Sequence, residues 1–233
     1  DHVIYLHRSF CERAGGRPTL TCEVGHGLGR DHALVAAQSG SWIRRPGPPR
    51  LGFVGNLAAA WIDWGSIAEV LRRHPLAKLV LWGPLPERER AQPELQQLLE
   101  NPSVQFRGLT PPMRILEESE DIDLWLAPFR TDRLPSGATN SHKILEYLAT
   151  GRAVAMTALE AYAGNELVAM PSGSSRNLPD LVDALLADPD GLNPPSLMAR
   201  RRAYALEFTY ERQLDRVLIT AGFATAETPK AAA

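Results

Sequence analysis

The residues with the clearest chemical potential stand on one short predicted helix. Lys143, Glu146 and Thr150 are spaced three and four positions apart, so a helix over this stretch places them on one face. Asn140 or Ser141, just before it, can accept a hydrogen bond from a free backbone N–H and cap the helix. A helix start attracts anions, because its free N–H groups and the helix dipole favour negative charge. The pattern therefore predicts a site for an anionic ligand.

The neighbouring residues predict how this helix is held. Ile144, Leu145 and Leu148 recur at helical spacing and form an apolar stripe on the opposite face. Gly151 stands where a left-handed residue would end the helix. The apolar run 153–156 that follows is typical of a short strand covered on both faces.

The rest of the chain alternates between strand and helix patterns. One strand is predicted to begin at residue 51, and three others span 78–82, 104–106 and 123–127. Helices are predicted at 63–74, 94–100 and 111–119. Three further helices are predicted from Ser174–Ser175 or Asn177, at 197–206, and at 210–221 with Leu214, Val217 and Leu218 as its apolar face. Such alternation predicts an α/β fold: a Rossmann-like, doubly wound parallel sheet followed by C-terminal helices.

Further candidate binding residues follow the predicted strands. In an open parallel sheet, ligands bind beyond the carboxyl ends of the strands. The residues at those ends are Gly55, Asn56, Gly83, Arg107, Pro128 and Phe129. Glycine lets backbone N–H groups approach a ligand closely, although a tight turn needs glycine in any case. Recurrence at successive strand ends favours one common crevice.

The segment from His142 to Val154, HKILEYLATGRAV, resembles the pattern P-K-hydrophobic-x-E-Y-L-A-x-G-K-P-V-V of the C-terminal nucleotide-sugar-binding domain of GT-B glycosyltransferases, in the group 1-like, exopolysaccharide type. The resemblance implies that Glu146 holds the ribose hydroxyls and that the loop and helix start before it face the phosphates and sugar. From the residue pattern alone, Glu146 is equally a surface ion-pair partner of Lys143. Ala138 replaces a second glutamate of many retaining members, which by analogy favours an inverting enzyme.

Two glycine-containing loops are candidate phosphate-binding sites. The turn Gly52–Asn56 resembles the G-x-x-G-x-L opening of GT-B donor domains, and it lacks the spacing of a dinucleotide fingerprint, which disfavours an oxidoreductase. Many relatives carry a cation in the following loop; residues 58–61 here have none, and Lys143, Arg130 or Arg133 are the expected substitutes. The loop Gly25–Asp31 could cradle a phosphate but is not a P-loop.

The N-terminal segment of the chain, at residues 1–9 and 24–31, resembles the connection between the two domains of a GT-B enzyme. The expected domains are a remnant of the first (acceptor) domain plus a Gly- and Pro-rich linker at 1–48, the nucleotide-sugar-binding Rossmann-like domain at 49–206, and a C-terminal helix with a disordered tail at 207–233. Most of the acceptor domain is expected to be missing from this chain or to lie on a separate partner.

The expected function is glycosyl transfer from a nucleotide-diphosphate sugar, a UDP-sugar above all, to a saccharide or lipid-linked acceptor. This chain would supply mainly the donor-binding half, with no cofactor beyond the substrate. No catalytic residue is assigned, since no Asp/His pair that could deprotonate an acceptor is evident. Two alternatives stay open: a donor-binding or regulatory module that needs a partner chain, and a GT-B-like nucleotide-sugar epimerase.

The composition indicates which classes of partner the protein is expected to bind. A net charge of −2 and the lack of a basic cluster give no sign of nucleic acid binding. Two cysteines without paired spacing favour reduced thiols over a zinc site, so no metal is assigned. No apolar run approaches the ~20 residues of a membrane span, and a cytoplasmic protein is expected. Arg200–Arg202 is either a solvated helix face or a contact with anionic lipid at the inner face of a membrane.

Overall fold

Seven strands, arranged in two parallel sheets, are present in the computed structural model, which describes residues 3–5, 21–38, 44–86, 91–133, 141–172 and 177–223. β1 (Val3–Tyr5) pairs with β2 (Thr21–Glu23). The larger sheet contains β3 (Arg50–Val54), β4 (Lys78–Trp82), β5 (Val104–Gly108), β6 (Leu124–Ala127) and β7 (Ala153–Met156). Its order is β5-β4-β3-β6-β7, and every pairing is parallel. The predicted Rossmann-like class is confirmed.

Eight α-helices lie within the described ranges. They are α1 (Arg30–Gln38), α2 (Trp64–Arg73), α3 (Pro93–Glu100), α4 (Pro112–Glu118), α5 (His142–Ala149), α6 (Leu178–Leu186), α7 (Pro195–Leu206) and α8 (Tyr210–Thr220). Asp63 and Asn177 cap α2 and α6, each accepting a hydrogen bond from a backbone N–H three residues on. Within the described ranges, no helix is long and apolar enough to cross a membrane.

The order of the strands fixes where a ligand crevice forms. The chain builds β3, β4 and β5 outward in one direction and then returns to place β6 on the other side of β3. The order therefore reverses between β3 and β6, and at such a switch point the connections leave a crevice beyond the strand ends.

Both faces of the sheet are covered at β3, β4, β6 and β7, whose side chains alternate between two cores, whereas edge strand β5 is largely exposed. Leu79 and Leu81 of β4 belong to the core with α2, α3 and α6, whereas Val80 and Trp82 belong to the core with α5. Strands buried in this way read as nearly continuous apolar runs, which is how they appear in the sequence.

The predicted apolar face of α8 is only partly covered by the described residues. Val217 and Leu218 are half-buried, whereas Leu214 is 56% exposed and Tyr210, at the start of the helix, is 60% exposed. Helical periodicity was correctly identified, but periodicity alone does not say whether a partner surface is present.

The basic run Arg200–Arg202 does not form one solvated face or one lipid-contacting patch. Arg201 is buried, and its guanidinium donates to the Gly151 carbonyl (3.2 Å) and to Asn193 Oδ1 (2.9 Å). Arg200 is exposed and pairs with Glu166 at 3.2 Å. Both expectations for this run are wrong at Arg201, because successive helix positions point in different directions.

α5 is fixed to the end of β3 by Tyr147, whose ring stacks on Trp125 with centroids 4.5 Å apart. The Val54 N–H donates to the Tyr147 hydroxyl (2.8 Å), which donates to the Val54 carbonyl (3.2 Å). Burial raises the pKa of Tyr147, so the hydroxyl stays protonated and able to donate. Tyr147 is thus a packing residue, as the sequence suggested, and it also positions the helix.

Tyr147→Phe is expected to lower the free energy of unfolding by about 1–3 kcal/mol, because it leaves the buried Val54 N–H without its acceptor. Urea unfolding followed by far-UV circular dichroism measures this. Tyr210→Phe, at an exposed position, serves as the control and should change stability by less than about 0.5 kcal/mol. Equal stability of the two variants would contradict the positioning role.

Candidate functional site

A cavity of about 160 Å³ opens between α1, α4 and α5, beside the ends of β3 and β6. It lies next to the switch point between β3 and β6. Its lining residues are His32, Val54, Pro112, Ile115, Leu116, Ser119, Trp125, Lys143, Glu146, Tyr147 and Thr150. The three polar residues predicted to share one face of α5 therefore do face the same space.

Lys143 and Glu146 are half-buried in this wall. Burial lowers the pKa of Lys143 and raises the pKa of Glu146. Each shift is partly offset by the charge of the neighbouring side chain, Glu146 for Lys143 and Lys143 for Glu146. No described residue forms a hydrogen bond or an ion pair within 4.0 Å with either side chain. The interpretation of Glu146 as a surface ion-pair partner of Lys143 is therefore not supported.

Holding two charged groups away from water without close partners costs stability. Groups that carry such a cost in a cleft are typical of binding and catalytic sites, where a ligand supplies the missing interactions. A carboxylate can accept two hydroxyl donors, and an ammonium donates to anionic oxygens. This pair can thus bind a ligand that carries both hydroxyls and negative charge.

Gly55 and Gly83 bring two strand ends close together. The Gly55 N–H donates to the Trp82 carbonyl (2.9 Å), and Gly83 has a φ of +130°. A Cβ on Gly83 would lie 1.7 Å from the Gly55 carbonyl oxygen, so no other residue fits there. A Cβ on Gly55 would lie 3.7 Å from Lys143 Cε, which places the lysine stem over the β3 turn.

The other predicted site residues lie outside the cavity wall. Asn56 is exposed and its Oδ1 accepts from the Ala58 N–H (3.1 Å), an arrangement that shapes the turn. Arg107, on edge strand β5, is directed toward Glu118 at 3.8 Å. The Pro128 carbonyl accepts from the Asp63 N–H (2.9 Å), and Phe129 packs against the core.

The start of α5 differs from the expected cap. Ser141 occupies the N-cap position, but its side chain makes no capping hydrogen bond. Asn140, the alternative cap and a predicted ligand contact, lies outside the described residues, as does Ala138. At the other end, Gly151 adopts a φ of +81° and its N–H donates to the Leu148 carbonyl (2.9 Å), as predicted.

Of the three cations expected to replace the one missing after Gly55, Lys143 lines the cavity. Arg130 and Arg133 are both within 4.0 Å of Asp132, and neither lines the cavity. Lys143 lacks such a carboxylate partner among the described residues and lies beside the turn.

Sequence reasoning missed His32, which lines the cavity from α1. Its distance along the chain from Lys143 left no local pattern that could join them. Pro112 and Ile115 of α4 supply an apolar wall that was likewise not predicted.

The cavity is smaller than the roughly 300–1,000 Å³ of pockets that enclose drug-sized ligands. At about 160 Å³ it can enclose only part of a nucleotide-sugar, and the remainder would extend along the strand ends.

No protein-family model matches this chain, and no curated protein matches it. Among solved structures, Anabaena Alr3699/HepE in complex with UDP and glucose is similar at 16% identity and a TM-score of 0.64, over 96% of this chain and 62% of that one. A glycosyltransferase from Rickettsia africae is similar at 12% identity and a TM-score of 0.66, over 97% and 64%.

The lipopolysaccharide outer core galactosyltransferase WaaB, in its apo form, is similar at 12% identity and a TM-score of 0.62, over 95% of this chain and 62% of that one. This chain thus spans less than two thirds of the length of all three proteins. Identities this low establish the fold alone. The chain has the GT-B-like glycosyltransferase fold.

Proposed function

We propose that this chain binds a nucleotide-diphosphate sugar, with UDP as the nucleotide, and acts as the donor-binding half of a glycosyltransferase. The observation that carries the proposal is the half-buried Lys143 and Glu146 on one helix face, beside the switch point of a GT-B-like fold. The complexes of HepE with UDP and glucose and with UDP-glucose support the choice of ligand.

Each group has a distinct role in this proposal. Glu146 accepts hydrogen bonds from the two ribose hydroxyls, while Pro112 and Ile115 provide apolar contact for the nucleoside. Lys143 binds the diphosphate, together with the N–H groups at the start of α5. As the glycosidic bond to the donor breaks, negative charge accumulates on the diphosphate, so a fixed cation there lowers the barrier.

The acceptor, a saccharide or lipid-linked sugar, and the base that deprotonates it would be supplied by a further domain or a partner chain. Exposed apolar residues support a surface for such a partner: Ile4 and Leu34 are each about half exposed (49% and 48%). This keeps the donor-binding module that needs a partner as a second candidate. Full transferase activity of the isolated chain, with no partner added, would refute that candidate.

The test of the donor site is a thermal-shift panel with UDP, GDP, ADP and CDP. A ligand that binds only the folded state raises the unfolding midpoint as its concentration increases. We expect UDP to raise it most. If none of the four raises the midpoint, the proposed site is overturned. If another diphosphate raises it more than UDP does, the nucleotide base assigned to the donor must be changed.

Glu146→Ala is expected to weaken UDP binding by tens-fold, about 1.5–3 kcal/mol, through loss of charge-assisted hydrogen bonds to the ribose. Titration calorimetry with UDP measures the change. Glu94→Ala removes an exposed carboxylate on α3, away from the cavity, and should leave affinity unchanged. If both variants bind UDP like the parent protein, Glu146 is not a ribose ligand.

A further inference from the structure

Three histidines from separate parts of the chain converge at the start of α5. His142 is the first residue of α5, His26 lies in the loop between β2 and α1, and His32 lies on α1. The rings of His26 and His142 meet edge to face with centroids 5.5 Å apart. His32 lines the cavity with Lys143. The cluster therefore adjoins the place proposed above for the diphosphate.

The charges around this cluster are mostly positive. Burial lowers the pKa of His142 to about 4, helped by Lys143, His26 and His32. The pKa of His32 is also lowered, by burial and by Lys143, against the opposing charge of Asp31. Glu146 acts on Lys143 from the next turn of α5. With no ligand bound, His142 and His32 are therefore neutral at physiological pH.

A neutral imidazole beside a lysine can become a second cation when an anion arrives. An opposite charge within about 4–6 Å raises a histidine pKa by roughly 1–3 units. A donor diphosphate brings two negative charges, and the proton comes from the surrounding buffer, which reaches His142 because its side chain is only partly covered. A ring nitrogen gains an N–H bond as the buffer acid loses its proton, and a fully protonated complex gains one positive charge.

We propose that His26, His32 and His142 complete, with Lys143, a cationic site for the donor diphosphate, and that the cluster takes up a proton as the donor binds. This rests on the proposed function and goes beyond it. The cluster supplies positive charge that the loop after Gly55 lacks, since residues 58–61 are Ala-Ala-Ala-Trp.

The direction in which pH changes the affinity for the donor follows from the coupling between donor binding and proton binding. A group whose pKa is higher in the complex than in the free protein favours binding as the pH falls through the higher value. We therefore expect UDP-glucose to bind about twofold more tightly at about pH 6 than at about pH 8, the factor that follows when a histidine pKa rises from about 4 to about 6 on binding. The diphosphate of UDP-glucose has no terminal phosphate, whose second pKa is about 6, so the ligand itself does not titrate there.

The experiment is titration calorimetry of UDP-glucose at about pH 6 in PIPES, MES and histidine-free citrate buffers, which differ in heat of ionisation. The dependence of the observed heat on the buffer gives the number of protons taken up. We expect about half a proton per ligand, as for a histidine whose pKa reaches about 6 in the complex. His142→Asn and, separately, His32→Asn should reduce this uptake and the pH dependence, with Lys143 still in place.

His74→Asn is the matched control, because His74 pairs with Asp183 (2.7 Å) and does not line the cavity. It should leave proton uptake unchanged. Tight binding without proton uptake, or uptake that survives in both His142→Asn and His32→Asn, would overturn the inference alone. No binding of UDP-glucose at any pH would overturn the proposed donor site and this inference together.

Discussion

Replacing Gly83 with alanine is expected to lower the free energy of unfolding by more than about 3 kcal/mol. Two effects add at this position. The φ of +130° is one that residues with a Cβ rarely adopt, and the added Cβ would lie 1.7 Å from the Gly55 carbonyl oxygen. Relieving that overlap requires the ends of β3 and β4 to separate, which breaks the bond from the Gly55 N–H to the Trp82 carbonyl.

Gly164→Ala provides the comparison for this effect. Gly164 also has a positive φ (+75°), but a Cβ there would meet no atom within 4 Å. Gly164→Ala should therefore lower the free energy of unfolding only through the unfavourable backbone conformation of alanine at positive φ, by about 1–2 kcal/mol. Urea unfolding of both variants gives the difference. Similar losses at the two positions would show that the close approach of Gly83 to Gly55 contributes nothing.

Lys143→Met is expected to weaken UDP binding about 100-fold, close to 2.7 kcal/mol, while leaving the binding of uridine unchanged. The methionine keeps the apolar stem over Gly55 and removes the charge. Because uridine carries no phosphate, the comparison separates the diphosphate contact from the ribose contact. Glu146→Ala should instead weaken UDP and uridine alike.

The control for Lys143 is Lys78→Met, on β4. Lys78 is also half-buried, and it donates to Ser103 Oγ (3.3 Å) away from the cavity. It should bind UDP like the parent protein. If Lys143→Met loses uridine and UDP to the same extent, the lysine supports the fold of the cavity rather than the diphosphate.

The sequence predicted the elements of the sheet well because their signals are local. β4 begins at Lys78 and ends at Trp82, as its apolar run indicated, and α2 begins after the Asp63 cap. The face shared by Lys143, Glu146 and Thr150 was predicted for the same reason, since residues three and four apart in a helix lie side by side.

Which strand ends meet could not be predicted locally. Arg107 was predicted to follow a strand as Gly55 does, but it lies within β5 at the edge of the sheet, whereas β3 lies at the centre. Arg107 consequently lies outside the cavity wall. That difference depends on strand order, which is set by the packing of helices over both faces rather than by any one strand.

The sequence by itself determined the Rossmann-like class and the helix that carries Lys143 and Glu146. Only the tertiary structure decided that these two charges are half-buried, that Arg201 is a core residue, that His26 meets His142, and that His32 faces the cavity with Lys143. The physical reason is that periodicity fixes the direction of a side chain relative to its own helix or strand. Burial and charge environment depend on segments that are distant along the chain, and these come together only when the sheet and its helices pack.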